Sequence, residues 1–462
     1  MAINNRKLRL IQAAAAKGGG VPVVDELVAI AGQSNAGVQG VSGTPSGWTD
    51  TPRVKMWNNS TNVFETYSPA AATAWGPEAG FALSWLADHP SGTLYIVKNY
   101  LGGSQLGAAS IYGNLGGAAK DWSQTAAQLF PETTAIVAAA RAACGLPLKY
   151  VIWAQGEADA QNTSATADYA TNALELYTHI RSDWGDANTK ICAHMVSNRF
   201  GGYNFEAMVA KQRQVVDNNP LNFLVDTRGF AYYTDNIHLV AAGSLEFGRA
   251  AYFKLTTAQT WFDKHAVLDL DFTNSRFFYR NLVYNSIAEL TAAGYYISAA
   301  VESMPVDRLL SSQFSIFVSG TNPNVDSATA QYAVCIDDGN DGVPTDEFVA
   351  VSRVGTSTKS WGIVVFHTST ASVPGGSGSV NVGAANGTDF KTAVRARTND
   401  MNAGSGGSVG TTASSSAPMA TGLTNLVLKN RTDGTRPWAG TLKRVQILDY
   451  LLDNAAIASV TA

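Results

Sequence analysis

The first candidate for chemistry is a serine that directly follows a short apolar run. Ser34 lies in the segment Gly32-Gln33-Ser34-Asn35, which comes after the apolar residues 27–31. Small neighbouring residues leave room for a substrate to approach, so the hydroxyl is a candidate nucleophile. Serine and asparagine after a strand are equally ordinary helix N-caps, and Ser34 alone does not distinguish the two roles.

The second candidate is a histidine with an acidic neighbour. Asp235 precedes His238 by three residues in a segment that follows an apolar run and leads into a predicted helix. At a helix start, residues three apart share a face, so the carboxylate could bind the imidazole Nδ1–H and leave Nε2 as a general base. A serine nucleophile must lose its proton in the transition state, and such a base would take it.

Two further segments could supply hydrogen-bond donors for an oxyanion. Gly103 follows the apolar residues 93–99 and offers an unobstructed backbone N–H, while Gln155 ends a later run and offers a side-chain amide. The alternative interpretations are a tight turn at Gly103 and capping of the next helix by Glu157 and Asp159.

The elements that would position these residues alternate between strand and helix from residue 25 to residue 255. The predicted strands are residues 27–31, 93–99, 150–155, 190–197 and 223–226. The predicted helices are residues 78–88, 123–143, 166–183, 205–217 and 240–255. This order predicts a three-layer, doubly wound α/β fold, in which the carboxyl ends of parallel strands border one crevice. Nucleophile, donors and base would then converge there.

A long segment rich in Gly, Ser, Thr and Pro interrupts this alternation at residues 37–77. It exceeds the usual length of a structural loop, so we expect it to shape a substrate cleft.

After residue 265 the pattern changes to short β-branched and aromatic runs, which predict an all-β sandwich. The predicted strands are residues 314–318, 332–336, 348–354, 362–367, 423–428 and 442–448. The Gly/Ser stretches 373–387 and 402–417 are expected as exposed loops. The predicted organisation is therefore an N-terminal segment 1–24, an α/β domain 25–264 and a β-sandwich domain 265–462.

Composition excludes several classes of protein. The chain has 462 residues, 45% of them hydrophobic and 15% charged, with a formal net charge of -4. That length predicts two or three folded domains, and the absence of a basic stripe argues against a nucleic-acid partner. No apolar run approaches the roughly 20 residues that cross a bilayer, so no membrane span is expected. The three cysteines lie far apart, as buried thiols rather than as a disulfide framework or metal site.

Taken together, the quoted segments resemble the sequence blocks of SGNH hydrolases, in particular the sialate O-acetylesterase and acetyl-xylan esterase branch. They are Gly-Gln-Ser-Asn at 32–35, Gly-Gly-Ser at 102–104, Gln-Gly-Glu-x-Asp at 155–159 and Asp-x-x-His at 235–238. The resemblance covers about the first 260 residues and implies a flavodoxin-like sheet with no metal or organic cofactor.

The same resemblance implies roles for individual residues. Ser34 is the nucleophile, His238 the base and Asp235 the orienting acid. The oxyanion hole consists of the Ser34 N–H, the Gly103 N–H and the Gln155 amide, with Gln155 at a position where most members have Asn. Within the branch Glu157 is sometimes given the acid role, and the sequence does not choose between Glu157 and Asp235.

The second domain resembles the concanavalin- or laminin-G-like sandwiches of bacteriophage tail proteins. The resemblance rests on the segments 268–272 and 438–447. It implies a lectin-like module, virion proteins as further partners, and an extracellular or virion-associated location.

The expected function is that of a serine carbohydrate O-acetylesterase acting on an acetylated polysaccharide. The main alternative is a non-catalytic, glycan-binding attachment protein of a phage tail. A flavodoxin-like nucleotide or flavin protein ranks last, because no phosphate-binding Gly-rich turn follows the first strand.

Overall fold

The computed structural model divides the chain into two compact units, residues 3–264 and residues 265–462. It describes residues 23–37, 43–70, 75–197, 203–227, 230–257, 266–271, 276–279, 282–284, 302–305, 313–322, 327–337, 348–355, 360–366, 379–381, 388–397, 400–409, 425–429, 438, 440–448, 452 and 454–462. The predicted N-terminal segment 1–24 lies almost entirely outside these residues.

The first unit is built on a sheet whose strands are mostly parallel. Its strands are β1 Glu26–Gly32, β2 Val54–Asn58, β3 Val63–Thr66, β4 Leu94–Tyr100, β5 Leu148–Ala154, β6 Lys190–His194 and β7 Asn222–Val225. They are ordered β3-β2-β4-β1-β5-β6-β7, and only the β2–β3 pair is antiparallel. The predicted strands are confirmed, and β1 lies between β4 and β5, so that three of the candidate segments leave neighbouring strands.

Helices cover both faces of this sheet. The described α-helices of the first unit are Ser34–Gly37, Pro77–Asp88, Ala109–Tyr112, Leu129–Cys144, Thr163–His179, Phe205–Asn218 and Ala241–Thr257, with a 3-10 turn at Asp159–Gln161 and a π-helical turn at Ile180–Trp184.

The two faces of β1 show how the layers form. Leu27 and Ala29 belong to one core with the helices that begin at Leu129, Thr163 and Phe205. Val28 and Ile30 belong to a second core with the helices that begin at Pro77 and Ala241. Successive side chains of a strand point to opposite faces, so an apolar run with no alternation is what a sheet buried on both sides requires.

Two predictions for the first unit were wrong in part. The segment 37–77 is not a continuous loop, because β2 and β3 pair within it and Trp57 packs edge-on against Phe64 with ring centroids 5.0 Å apart. The helix predicted from residue 123 begins at Leu129 instead. Asp121 Oδ1 accepts from the Ser123 N–H, a local hydrogen bond that competes with helix formation.

The second unit contains two antiparallel sheets. Its strands are β8 Ala266–Asp271, β9 Arg276–Tyr279, β10 Leu282–Tyr284, β11 Glu302–Pro305, β12 Gln313–Thr321, β13 Ser327–Asp337, β14 Phe348–Gly355, β15 Ser360–Phe366, β16 Ser379–Asn381, β17 Asp389–Arg397, β18 Asp400–Ser405, β19 Ser408–Val409, β20 Asn425–Leu428 and β21 Thr441–Leu448, and a helix spans Asn454–Thr461. The sheet orders are β10-β9-β8-β21-β12-β17-β18-β19 and β11-β20-β13-β14-β15-β16.

The strands predicted in this unit are present, but the predicted loops are not wholly loops. Within 402–417 the chain forms the end of β18 and all of β19, with Asn402 and Ala403 buried. Within 373–387 it forms β16. Hydrogen bonding across the β18–β19 turn compensates for the low strand propensity of Gly and Ser, which composition alone does not reveal.

Among the described residues, no helix is long and apolar enough to cross a membrane. The same part of the chain holds no group of three or more His, Cys, Asp or Glu placed to bind a metal. Cys192 and Cys335 are buried, Cys144 is half-buried, and all three are free thiols.

Candidate active site

The turn after β1 places Ser34 at the carboxyl edge of the sheet. Gly32 ends the strand with φ +133°, and Gln33 N–H donates to Ala154 O at the end of β5. A Cβ at Gly32 would lie 2.1 Å from that same carbonyl oxygen, so only glycine fits this crossing. The chain then enters the short helix Ser34–Gly37, whose residues are buried.

Ser34, His238 and Asp235 form a chain of hydrogen bonds. Ser34 Oγ lies 2.9 Å from His238 Nε2, and His238 Nδ1 lies 2.7 Å from Asp235 Oδ2. The hydroxyl can therefore donate to an imidazole whose other nitrogen donates to a carboxylate. In this arrangement Nε2 is the basic nitrogen that faces the nucleophile.

A turn, and not the start of a helix, holds Asp235 against His238. Asp235 Oδ1 accepts from the Ile237 N–H at 2.9 Å and from the His238 N–H at 3.0 Å, and the helix begins only at Ala241. Burial opposes ionisation of Asp235, but hydrogen bonds from the backbone and side chain of His238 outweigh it and lower the pKa of the carboxyl. Asp235 is 43% exposed and His238 22% exposed, so water reaches this side of the site.

Glu157 lies elsewhere in the site. Its Oε1 accepts from Asn35 Nδ2 at 2.6 Å and from His194 Nε2 at 2.8 Å, and no contact with His238 is found among the described residues. Burial disfavours the charged form of Glu157, but the neighbouring His194 charge and the hydrogen bonds to it lower the pKa of the carboxyl. His238 is therefore bound by Asp235, its neighbour in the same turn, whereas Glu157 binds His194.

Gln155 is fully buried and its amide already has acceptors. Nε2 donates to Asp159 Oδ2 at 2.5 Å and lies 3.3 Å from Ser104 O. Burial raises the pKa of Asp159 to about 6, against hydrogen bonds from the Leu106 N–H and from Gln155. The Gln155 side chain thus links the end of β5 to the loop after β4.

Gly103 lies in that loop, which is anchored to the end of β1. Leu101 N–H donates to Gly32 O at 3.2 Å, and Trp122 Nε1 donates to Ser104 Oγ at 3.0 Å. Gly103 has φ +72°, and a Cβ there would lie 2.2 Å from Gly116 O. Within the described part of the chain, neither the Ser34 N–H nor the Gly103 N–H has an acceptor. Both remain available to a ligand.

Two residues of this site were not identified from the sequence. Asn35 stands next to the candidate nucleophile, and that adjacency is the signal that could have pointed to it. His194 was set aside because no acidic residue lies near it in the sequence. Its partner, Glu157, is 37 positions away in the turn that follows β5, and the β5–β6 pairing brings the two together.

Comparison with protein families finds a match to the model described as "Carbohydrate esterase, sialic acid-specific acetylesterase" over residues 24–256. No curated protein sequence matches at a significant level.

Solved structures with similarity to the chain share little sequence with it. An X-ray structure of a protein from Arabidopsis thaliana is 19% identical, covers 51% of this chain and 98% of its own, and gives a TM-score of 0.43. The crystal structure of NanS is 19% identical, covers 46% and 80%, and gives 0.35. The CBM40 of Ruminococcus gnavus IT-sialidase bound to α2,3-sialyllactose is 17% identical, covers 36% and 97%, and gives 0.28.

Proposed function

The chain belongs to the carbohydrate esterase family of sialic acid-specific acetylesterases, and on that premise we propose that Ser34 is the nucleophile with which it removes acetyl groups from a glycan. The family establishes an esterase that hydrolyses acetyl esters of a carbohydrate. The observation that carries the finer assignment is the hydrogen-bond chain from Ser34 through His238 to Asp235.

The reaction follows from which atoms face each other. Ser34 Oγ attacks the acetyl carbonyl carbon while His238 Nε2 takes its proton, and Asp235 stabilises the imidazolium that forms. The tetrahedral intermediate then expels the sugar oxygen, which receives the proton from Nε2. Water, activated by the same nitrogen, hydrolyses the acetyl-serine and releases acetate.

We assign the oxyanion to backbone donors first. The N–H groups of Ser34 and Gly103 are free among the described residues and belong to loops that the end of β1 holds together. Fixed donors at a developing negative charge are worth several kcal/mol, about 3 for a single donor. Gln155 would join them by exchanging one of its two long hydrogen bonds, to Ser104 O at 3.3 Å or to Gln33 Oε1 at 3.4 Å, for one to the substrate oxygen.

Replacing Ser34 tests the assignment directly. Ser34→Ala is expected to lower acetate release from an acetylated polysaccharide by about 10⁴-fold or more, because no other group can form the acyl-enzyme. Ser182→Ala, which removes an exposed hydroxyl on the π-helical turn, is the matched control and should retain full turnover.

A serine-directed phosphonate gives the second arm of the test. Labelling of the wild type at Ser34 separates the esterase from a non-catalytic attachment protein, which would not react. Wild-type turnover by Ser34→Ala would refute the proposed nucleophile.

For residues 265–462 we propose a β-sandwich of the concanavalin- or laminin-G-like kind that binds the polysaccharide. Its support is that both antiparallel sheets bury apolar side chains completely, as at Ile316 and Val318 of one sheet and Val334 and Ile336 of the other. Facing sheets of a sandwich do the same. We further propose an extracellular or virion-associated location, where a polysaccharide substrate would be met, with virion proteins as further partners.

A further inference from the structure

One buried side chain connects the nucleophile to the loop that carries the base. Asn35 follows Ser34 directly and is fully buried. Its Nδ2 donates to Ile237 O at 3.0 Å, and its Oδ1 accepts from the Leu239 N–H at 3.0 Å. These two backbone groups stand immediately before and immediately after His238.

This arrangement fixes the imidazole relative to the hydroxyl. The backbone on both sides of His238 is bound to the residue next to Ser34, so this one amide ties the position of the imidazole directly to that of the hydroxyl. The protein otherwise holds the His238 turn by its own local hydrogen bonds and by the bridge between Tyr232 and Leu239. A misplacement of about 1 Å at a reacting group can cost about 10²-fold in rate.

The amide is in turn oriented by Glu157. Asn35 Nδ2 donates to Glu157 Oε1 at 2.6 Å, which fixes which end of the amide is the donor and which the acceptor. His194 Nε2, fully buried behind it, binds the same carboxylate oxygen at 2.8 Å. A carboxylate without such partners would be too costly to bury at this position.

We propose that Asn35 and Glu157 are positioning residues for the base: Glu157, held by His194, orients the Asn35 amide, and Asn35 fixes the His238 loop against Ser34. This inference rests on the proposed function. It gives Glu157 a task other than that of the orienting acid, which falls to Asp235. No proton passes through Asn35 or Glu157 during the reaction.

The isosteric variant separates the two possible roles of Glu157. In Glu157→Gln the amide oxygen can still accept from Asn35, so we expect kcat within about fivefold of wild type, the effect of one ordinary hydrogen bond. Glu157→Ala removes the acceptor, and kcat should fall by about 10²-fold while KM changes little. Asp235→Asn should be at least as damaging as Glu157→Ala, because the amide no longer stabilises the imidazolium.

A double variant tests whether the two residues act through one chain of contacts. Asn35→Ala should also lower kcat by about 10²-fold, and Asn35→Ala/Glu157→Ala should lose no more than Asn35→Ala alone, since residues acting in series are not additive. The rate of phosphonate labelling at Ser34 should fall in the same proportion, independently of the sugar. Asn35→Ala carries the test by itself if Glu157→Ala does not fold.

The matched control is a buried carboxylate at the opposite end of β1. Glu26 is 5% exposed, accepts from Trp85 Nε1 at 3.1 Å and pairs with Lys149. Glu26→Ala should lower the melting temperature without lowering kcat.

The outcomes also distinguish the inference from its premise. Equal losses in Glu157→Gln and Glu157→Ala, or additive losses in the double variant, would overturn the positioning role while Ser34→Ala remains inactive. Turnover by Ser34→Ala in the same assay would remove the premise and the inference together.

Discussion

Two buried carboxylates, two positions apart, show how a single partner decides the direction in which the pKa of a carboxyl is shifted. Glu157 and Asp159 are both buried at the carboxyl edge of the sheet. His194 faces Glu157 and lowers the pKa of its carboxyl, whereas Asp159 meets only N–H donors and burial raises its pKa. Neutral donors compensate a buried charge less well than an opposite charge does. The sequence Glu157-Ala-Asp159 does not predict that the pKa values of the two carboxyls shift in opposite directions.

The raised pKa of Asp159 predicts a pH-dependent stability. Its carboxyl titrates at about 6 in the folded chain and near 3.8 when exposed. The folded state therefore binds more protons between these values, and the stabilising contribution present below about pH 4 is lost as the pH rises through 6. Its full size is about 3 kcal/mol, from 1.36 kcal/mol per pKa unit.

The variant Asp159→Asn should remove this dependence. An amide does not titrate. Its oxygen can take the place of Oδ2 and still accept from Gln155 and from the Leu106 N–H. Its nitrogen then takes the place of Oδ1, whose contact with Gly107 N is long, at 3.3 Å. Guanidinium unfolding followed by tryptophan fluorescence, at pH 4 and pH 7.5, measures the difference between wild type and variant. An identical pH dependence of the two proteins would contradict the shifted pKa.

At the scale of elements, most of the sheet could be predicted because a strand buried on both faces must be apolar throughout. The residues 27–31 and 150–154 satisfy that condition, and with parallel order they already bring Ser34 and Gln155 to one edge. The β2–β3 pair escaped prediction because its strands are short and mixed: β3 carries Glu65 and Thr66 among its four residues. The Glu157–His194 contact escaped as well, since strand adjacency is a long-range property.

The crossing of Gly32 over the end of β5 makes a prediction for that element. Gly32→Ala would place a methyl group 2.1 Å from Ala154 O at φ +133°, so the β1–β5 pairing must open where Ser34 is held. We expect a loss of several kcal/mol in stability together with loss of esterase activity. The methyl group would clash with Ala154 O, and a φ of +133° is unfavourable for alanine.

Gly145→Ala provides the control for backbone strain alone. Gly145 caps the helix Leu129–Cys144 with φ +71°, and a Cβ there would have no neighbour within 4 Å. It should cost only about 1 kcal/mol and leave kcat unchanged. Thermal melting and acetate release measure both variants, and a Gly32→Ala protein as stable and active as Gly145→Ala would show that the crossing is not needed.

At the scale of the whole molecule, the described part of the first unit forms two hydrophobic cores from its own side chains. Both of its clusters draw their buried side chains from residues 27–255, on the two faces of one sheet. Each fully buried Val, Ile or Leu contributes about 1.5–3 kcal/mol, so a core of this size suffices for an independent fold. After residue 265 the sequence changes to short β-branched and aromatic runs, which predicts the same division into two units. Fragments of the chain can test it.

Separating the two units is therefore the whole-molecule experiment. A fragment of residues 21–264 is expected to fold with a single cooperative transition and to hydrolyse a small soluble acetyl ester with the kcat of the full chain, because Ser34, His238 and Asp235 all lie within it. Towards a long acetylated polysaccharide the fragment should show a KM raised by about tenfold or more, since it lacks the proposed binding module and the local substrate concentration that module would provide. A fragment of residues 265–462 should bind that polysaccharide by calorimetry and release no acetate. An unchanged KM for the polysaccharide would refute a glycan-binding role for the second unit. A 21–264 fragment that aggregates, or that loses activity on the small ester, would show that the fold of the first unit depends on the rest of the chain.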